Sequence, residues 1–411
     1  MSIGPVEVGE VFRRYREAFF EEFGDVISFE QRWVLDSISA CRTPVLGGHL
    51  YECDTCNHQL VLHNSCSNRH CPQCQAEAAA EWFEDRQAEL LPVGYYHVVF
   101  TLPSSLAPLA LQNKRVVYGL LFRAASQTLL EIAADPRHFG AKIGFLALLH
   151  TWGQTLLHHP HIHCVVPGGG LSPARSRWVS SRSNFFLPVH VLSRLFRGKL
   201  LAYLEQAFQD KKLTFDGSLA HLANEKVFHS LINTIRKKEW VVYSKAPFGS
   251  PSQTLKYLAR YTHRVAISNK RLISIDDGKV TFGWKDYASG NRRRRITIEA
   301  TEFIRRFLLH VLPKGFVKIR SYGFMANRGR KENLDLCRQL LGARPSPNED
   351  QPAEPDLSEK DEPVSDSDRS PSLREHLCPI CKVGRMIPVR EIAPARTLSA
   401  AALSSTKTNT A

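Results

Sequence analysis

Residues 158–172, HHPHIHCVVPGGGLS, hold the segment on which the reading of this chain turns. Within it the run His-Ile-His-Cys-Val-Val is apolar and β-branched, as in a strand covered on both faces. Side chains two apart on a strand point the same way, so His161 and His163 project together. Two co-facial imidazoles can chelate one ion, and a third protein ligand would leave coordination positions open. The bland alternative is a histidine-rich core strand with local hydrogen bonds. His158 and His159 crowd the same end and compete as ligands, while Gln154 and His263 are candidates for the third position. Gly168-Gly169-Gly170 ends the strand without a following Gly-Lys-Ser/Thr, so no nucleotide-binding loop is supported. The triplet reads as a tight turn or a place where a ligand approaches the backbone.

Working outward, Tyr95–Leu102 (YYHVVFTL) reads as a buried strand stopped by Pro103. A helix is expected at Ala107–Ala134 and a strand at Ile143–Trp152. Further helices are expected near Val189–Gln209, Gln253–Val265 and Ala300–Val311. Residues 271–284 read as a hairpin around Asp277-Gly278, and Arg292–Glu299 as another strand. Toward the N-terminus, Phe12, Tyr15, Phe19 and Phe23 recur at helical spacing, a second helix follows at Phe29–Cys41, and a polar one at Gln75–Leu90. Strands mixed with helices give an α/β or α+β catalytic domain.

Cysteines cluster before that domain. Cys53-x2-Cys56 and Cys71-x2-Cys74 each fit a zinc knuckle, and two knuckles 14 residues apart would complete one four-cysteine site. Cys41, His49, Cys66 and His70 remain, the number a second zinc needs, although a binuclear arrangement could distribute these ligands differently. Closed thiolate sites are structural, since no coordination position stays open for chemistry. Near the C-terminus, Cys378-Pro-Ile-Cys381 has no second pair nearby; it is half of a zinc ribbon completed elsewhere, or a relic.

Tyr257 and Tyr261, four residues apart in LKYLARYTHR, fall on one helical face beside Arg260 and Arg264. Aromatic pairs at this spacing commonly pack against a core. A phenol among arginines also suits attack on a phosphodiester, because nearby cations ease loss of its proton.

The chain has 411 residues and a formal charge of +14, with nine acids and only two bases between residues 345 and 372. The rest is therefore strongly basic, which favours a polyanionic partner. Residues Leu91–Asn113 and Phe145–Ala174 lack charged residues, but prolines in the first and histidines and glycines in the second argue against membrane helices. No secretory signal stands at the N-terminus, and a cytoplasmic, reducing setting favours cysteines as metal ligands.

The segments LGGHLYECDTCNH, NSCSNRHCPQCQ, HHPHIHCVVPGGGLS, YLARYTHRVAISN and KGFVKIRSYGFMANR, in this order, resemble rolling-circle insertion-sequence transposases. These belong with the HUH endonucleases, named for the His-hydrophobe-His motif. The resemblance covers roughly residues 10–342 and implies an α+β fold: a palm-like antiparallel sheet with the histidines on its central strand. It implies Mg²⁺ or Mn²⁺ at His161 and His163, and Tyr257 or Tyr261 as nucleophile forming a 5′-phosphotyrosine link to single-stranded or hairpin DNA. No nucleotide cofactor is then needed, since the ester stores the bond energy. The expected organisation is 1–90 zinc-binding, 91–342 catalytic, 343–373 acidic linker, and 374–411 a CPIC knuckle and disordered tail. Arg292–Arg295 and Lys314–Arg330 are candidate DNA contacts or plain solvated faces. Two other readings stay open: a non-enzymatic zinc-finger DNA-binding regulator, and a relaxase or replication initiator using the same chemistry.

Overall fold

A computed structural model describes residues 6–76, 79, 87, 89–182, 186–245, 266–286, 289–290, 292–342 and 377–395. In chain order its helices are α1 (Val8–Phe23), α2 (Phe29–Ala40), α3 (Ala107–Gln112), α4 (Lys114–Ala134), α5 (Val189–Gln209), α6 (Glu225–Arg236), α7 (Ala300–Leu309) and α8 (Arg330–Leu340). The strands are β1 (Gly48–Cys53), β2 (Gln59–His63), β3 (Tyr95–Thr101), β4 (Gly144–Trp152), β5 (His158–Pro167), β6 (Gly169–Leu171) and β7 (Trp178–Ser180). They continue with β8 (Val242–Lys245), β9 (Leu272–Asp276), β10 (Lys279–Asp286), β11 (Arg292–Glu299), β12 (Ile319–Gly323) and β13 (Met386–Ile392). The fold is α+β, with every described sheet antiparallel.

Two compact units divide the chain. The first comprises Met1–Ala78, Ile267–Leu308 and Pro363–Ala411; the second comprises Ala79–Ala266 and Leu309–Glu362. The β9–β11 sheet and α7, expected inside a continuous catalytic segment 91–342, thus belong with the cysteine-bearing unit.

In the first unit, Ser28 and Gln31 form a reciprocal capping box that starts α2. The Gln31 amide also donates to the Leu308 carbonyl at 2.9 Å, and Phe12 meets Phe307 edge-on at 5.2 Å. These contacts tie the two N-terminal helices to α7. Asp277 and Gly278 have φ of 47° and 75°, the left-handed pair that a two-residue hairpin turn requires. A second sheet runs β13-β1-β2. The C-terminal segment, expected as a knuckle with a disordered tail, therefore supplies a strand paired with β1. MIPVREI gave no alternation to read because its side chains from Ile387 to Glu391 are all exposed. Its Pro388 sits where the register slips between Leu50 and Tyr51, one of the few sheet positions that tolerate a missing N–H.

The second unit is built on a five-stranded sheet in the order β12-β4-β5-β3-β8. One face, bearing Tyr96, Val98, Phe100, Phe145, Ala147, Leu149, Ile162, Cys164 and Val166, packs on α4, α5 and α6 in a single core. Helix α4 is the one described helix long and apolar enough to cross a membrane, and most of that apolar stretch is buried inside the protein. The single helix expected over 107–134 breaks at Asn113. Its amide group donates to Leu109 and Thr214 carbonyls and accepts the Thr214 N–H, holding φ and ψ at −112° and 43°.

Strand β5 begins earlier than the sequence suggested. His150 pairs with His161 but Trp152 with His158, so β5 carries one extra residue around Pro160. A bulge accommodates a proline in a central strand, because the ladder is already interrupted there. Gly168 donates to the Gly94 carbonyl at 2.7 Å, and a Cβ on Gly169 would lie 2.3 Å from the Trp178 indole nitrogen. Close packing of the β6–β7 ribbon thus accounts for glycine at these positions.

Candidate metal centres

The face of the sheet opposite the helical core carries the histidines. His161 and His163 alternate with Ile162 and Cys164, and register places His150 of β4 directly across from His161. One ring nitrogen from each of His150, His161 and His163 lies within 4.8 Å of the others. His150 is only 4% exposed, whereas His161 is half-buried.

Hydrogen bonds orient the rings. His161 Nδ1 donates to the His159 carbonyl at 2.6 Å, which leaves Nε2 with its lone pair for an ion. The β5 bulge brings that carbonyl into place. His163 Nδ1 lies 2.7 Å from His97 Nε2 with the two rings nearly parallel. Between neutral imidazoles one nitrogen must donate, and donation from His163 Nδ1 directs its Nε2 lone pair toward the cluster. Burial lowers the His161 pKa to about 4 and that of His163 well below the ordinary value, so both stay neutral ligands at neutral pH.

Competing candidates have other work. His158 Nε2 accepts from the Tyr118 hydroxyl at 2.7 Å, with burial pushing its pKa down to about 4. His159 contributes its carbonyl. Gln154 stands in the loop between β4 and β5, and His263 falls outside the described residues. His310 donates from Nε2 to the Leu156 carbonyl and accepts at Nδ1 from Thr151, pinning the loop between β4 and β5.

The eight clustered cysteines form two groups of four, and their pairing differs from expectation. Cys41, Cys66, Cys71 and Cys74 converge in one; Cys53, Cys56, Cys378 and Cys381 in the other. Sulfur–sulfur separations are 3.6–3.7 Å in the first and 3.6 Å in the second. A disulfide would be about 2.05 Å. Four thiolates about 2.3 Å from a tetrahedral zinc ion stand about 3.8 Å apart. Both groups therefore fit a closed zinc site. Knuckles are interchangeable halves, so spacing could not tell which pair completes which. Cys41 caps the end of α2 and Cys66 follows β2, which brings both to the Cys71–Cys74 turn.

His49 and His70, expected as second-site ligands, join neither group. His49 lies in β1 opposite Leu62 and Glu391, and the His70 ring donates to the Asn68 side chain at 3.2 Å. Backbone N–H groups of Gly384 and Val383 draw the Cys381 thiol down to about 6, toward the thiolate that binds metals.

Residues 11–102 match the family described as a transposase zinc-binding domain, and residues 144–333 that described as a putative transposase. The putative transposase y4qJ of Sinorhizobium fredii is 54% identical over 387 residues, 94% of this chain and 95% of its own. The transposase for insertion sequence element IS801 of Pseudomonas savastanoi pv. phaseolicola is 31% identical over 305 residues, 74% of this chain and 70% of its own. This chain belongs to the IS91-type rolling-circle insertion-sequence transposases.

In this transposase the zinc-domain match spans Cys41 through Cys74 but ends well before Cys378. Tyr257 and Tyr261 lie within the second match but outside the described residues. Reasoning from sequence missed His150 and His97. Both sat in segments read as strands, and only the antiparallel register brings them to the His161–His163 pair. The four arginines Arg292–Arg295 are all exposed on β11, with Arg294 ion-paired to Asp286. Part of the basic segment 314–330 has structural partners instead. Arg320 stacks over the Phe122 and Phe316 rings, and Arg330 pairs with Glu89.

Proposed function

We propose that this transposase cuts and rejoins single-stranded DNA at its element's ends, using Tyr257 or Tyr261 against a phosphodiester held at the histidine centre. The observation that carries this reading is the convergence of His150, His161 and His163 on one face of the central strands. Three imidazoles, with no carboxylate grouped with them among the described residues, suit a divalent ion softer than Mg²⁺, which favours Mn²⁺ over the harder cation. An ion bound there would supply Lewis-acid polarisation of a non-bridging phosphate oxygen and orient the strand.

This chain's residues do the rest. The attacking phenol gives up a proton, with a reference pKa of about 10. Its oxygen bonds to phosphorus while the 3′ oxygen of the preceding nucleotide leaves and is protonated. The product is a 5′-phosphotyrosine ester and a free 3′ hydroxyl. Reversal by an incoming 3′ hydroxyl rejoins the strand without nucleotide hydrolysis. A second tyrosine allows a second cleavage while the first ester persists. His97 and the His159 carbonyl act by holding ring orientations, and the exposed β11 arginines suit contact with phosphates.

The test mixes the protein with labelled single-stranded oligonucleotides from the element ends and Mn²⁺. A covalent adduct surviving SDS is expected, lost in the Tyr257→Phe, Tyr261→Phe double variant and in His161→Ala. An adduct that persists in both variants overturns the assignment.

A further inference from the structure

We propose that Cys53, Cys56, Cys378 and Cys381 form a second structural zinc site, a ribbon split between the chain's two ends that makes its C-terminal segment part of the N-terminal unit. Four thiols from segments 328 residues apart would have little reason to gather at 3.6 Å without an ion. Without an ion, thiols gain more from apolar packing or from water than from one another.

The two knuckles are built alike. In the first, Asn57 takes φ of 56° and its N–H donates to the Cys53 carbonyl at 3.1 Å. In the second, Lys382 takes φ of 58° and its N–H donates to the Cys378 carbonyl at 2.9 Å. Each first cysteine donates its own N–H across the turn, Cys53 to His58 and Cys378 to Gly384. Each sulfur set also receives backbone N–H groups: Thr55 and Cys56 to Cys53, Ile380 to Cys378, Gly384 to Cys381. Such donors offset the negative charge of thiolates around a zinc ion.

The halves are also fitted to each other. Asp54 and Arg385 exchange hydrogen bonds, Asp54 N–H to the Arg385 carbonyl at 3.1 Å and Arg385 N–H to Asp54 Oδ1 at 2.9 Å. A Cβ on Gly384 would lie 2.5 Å from the Cys53 sulfur, so even an alanine there would crowd the approach and shift one knuckle against the other. Beyond the knuckle, β13 pairs along β1 from Cys53–Met386 to Gly48–Ile392 and covers an edge that would otherwise be open.

Two measurements on the full-length protein test this, and neither reads DNA cleavage. Zinc per chain by elemental analysis should fall by one equivalent in Cys378→Ser, Cys381→Ser; equal content in variant and wild type overturns the site. The second keeps all cysteines and inserts a specific protease sequence within residues 350–370. After cleavage the C-terminal fragment should co-elute with the remainder and separate once a chelator removes zinc. A fragment that leaves without chelator, or stays after zinc is gone, overturns the staple.

Discussion

The two cysteine clusters have the same four thiolates and nearly the same spacing, yet they are assembled in opposite ways. One draws Cys41, Cys66, Cys71 and Cys74 from neighbouring turns and caps; the other joins residues near both ends of the chain. A local centre closes short loops, whereas the split one must first recover the entropy of a long loop. The local centre should therefore organise the unit, and the split centre should lock a strand onto what already exists.

Breaking the local centre should cost most. In Cys71→Ser, Cys74→Ser the first unit should fail to fold, because structural zinc in small domains supplies about 10–16 kcal/mol of apparent binding energy. Circular dichroism and soluble yield would show it, and a wild-type melt would erase the distinction drawn here. Removing the split centre with Cys378→Ser, Cys381→Ser should leave a folded protein with a lower melting temperature. The loss should be about 4 kcal/mol, that of a site occupied at about 1,000 times its Kd. A collapse as complete as the first would mean that both centres are scaffolds.

The histidine centre extends the contrast, since it is held by a sheet and should not report on folding. His150→Ala should weaken Mn²⁺ binding about 100-fold, about 2.7 kcal/mol, and abolish adduct formation with zinc content unchanged. Calorimetric titration with Mn²⁺ measures the first part; unchanged affinity would remove His150 from the centre. His97→Phe should cost about 10-fold in affinity, as expected when a ligand loses its orienting partner. The smallest effect belongs to Gly384→Ala, about 1 kcal/mol of crowding against Cys53, seen as a modest fall in melting temperature. No change at all would show that the knuckles sit further apart than described.

What the sequence disclosed followed from local physics. The β5 alternation put His161 and His163 on one face, Val189–Gln209 was read to the residue, and the Asp277-Gly278 pair marked its hairpin. What it hid was non-local. His150 and His97 become neighbours of that pair through strand register, which hydrophobic periodicity does not specify between candidate partners. The CPIC motif could be recognised as half a ribbon, but its other half lay more than three hundred residues away. Strand β13 escaped because it lies on an edge with its side chains in solvent. The tyrosine pair was named from spacing and family resemblance, and both residues fall outside the described part of the chain.

Joining the first knuckle to the last has a consequence for how the protein is born. A ribosome moving at about 5–20 residues per second needs roughly 16–66 s to travel from Cys53 to Cys381. Throughout that interval the emerging chain holds two unsatisfied thiols and an uncovered β1 edge. A chain ending before Cys378 would keep both the open thiols and the open edge.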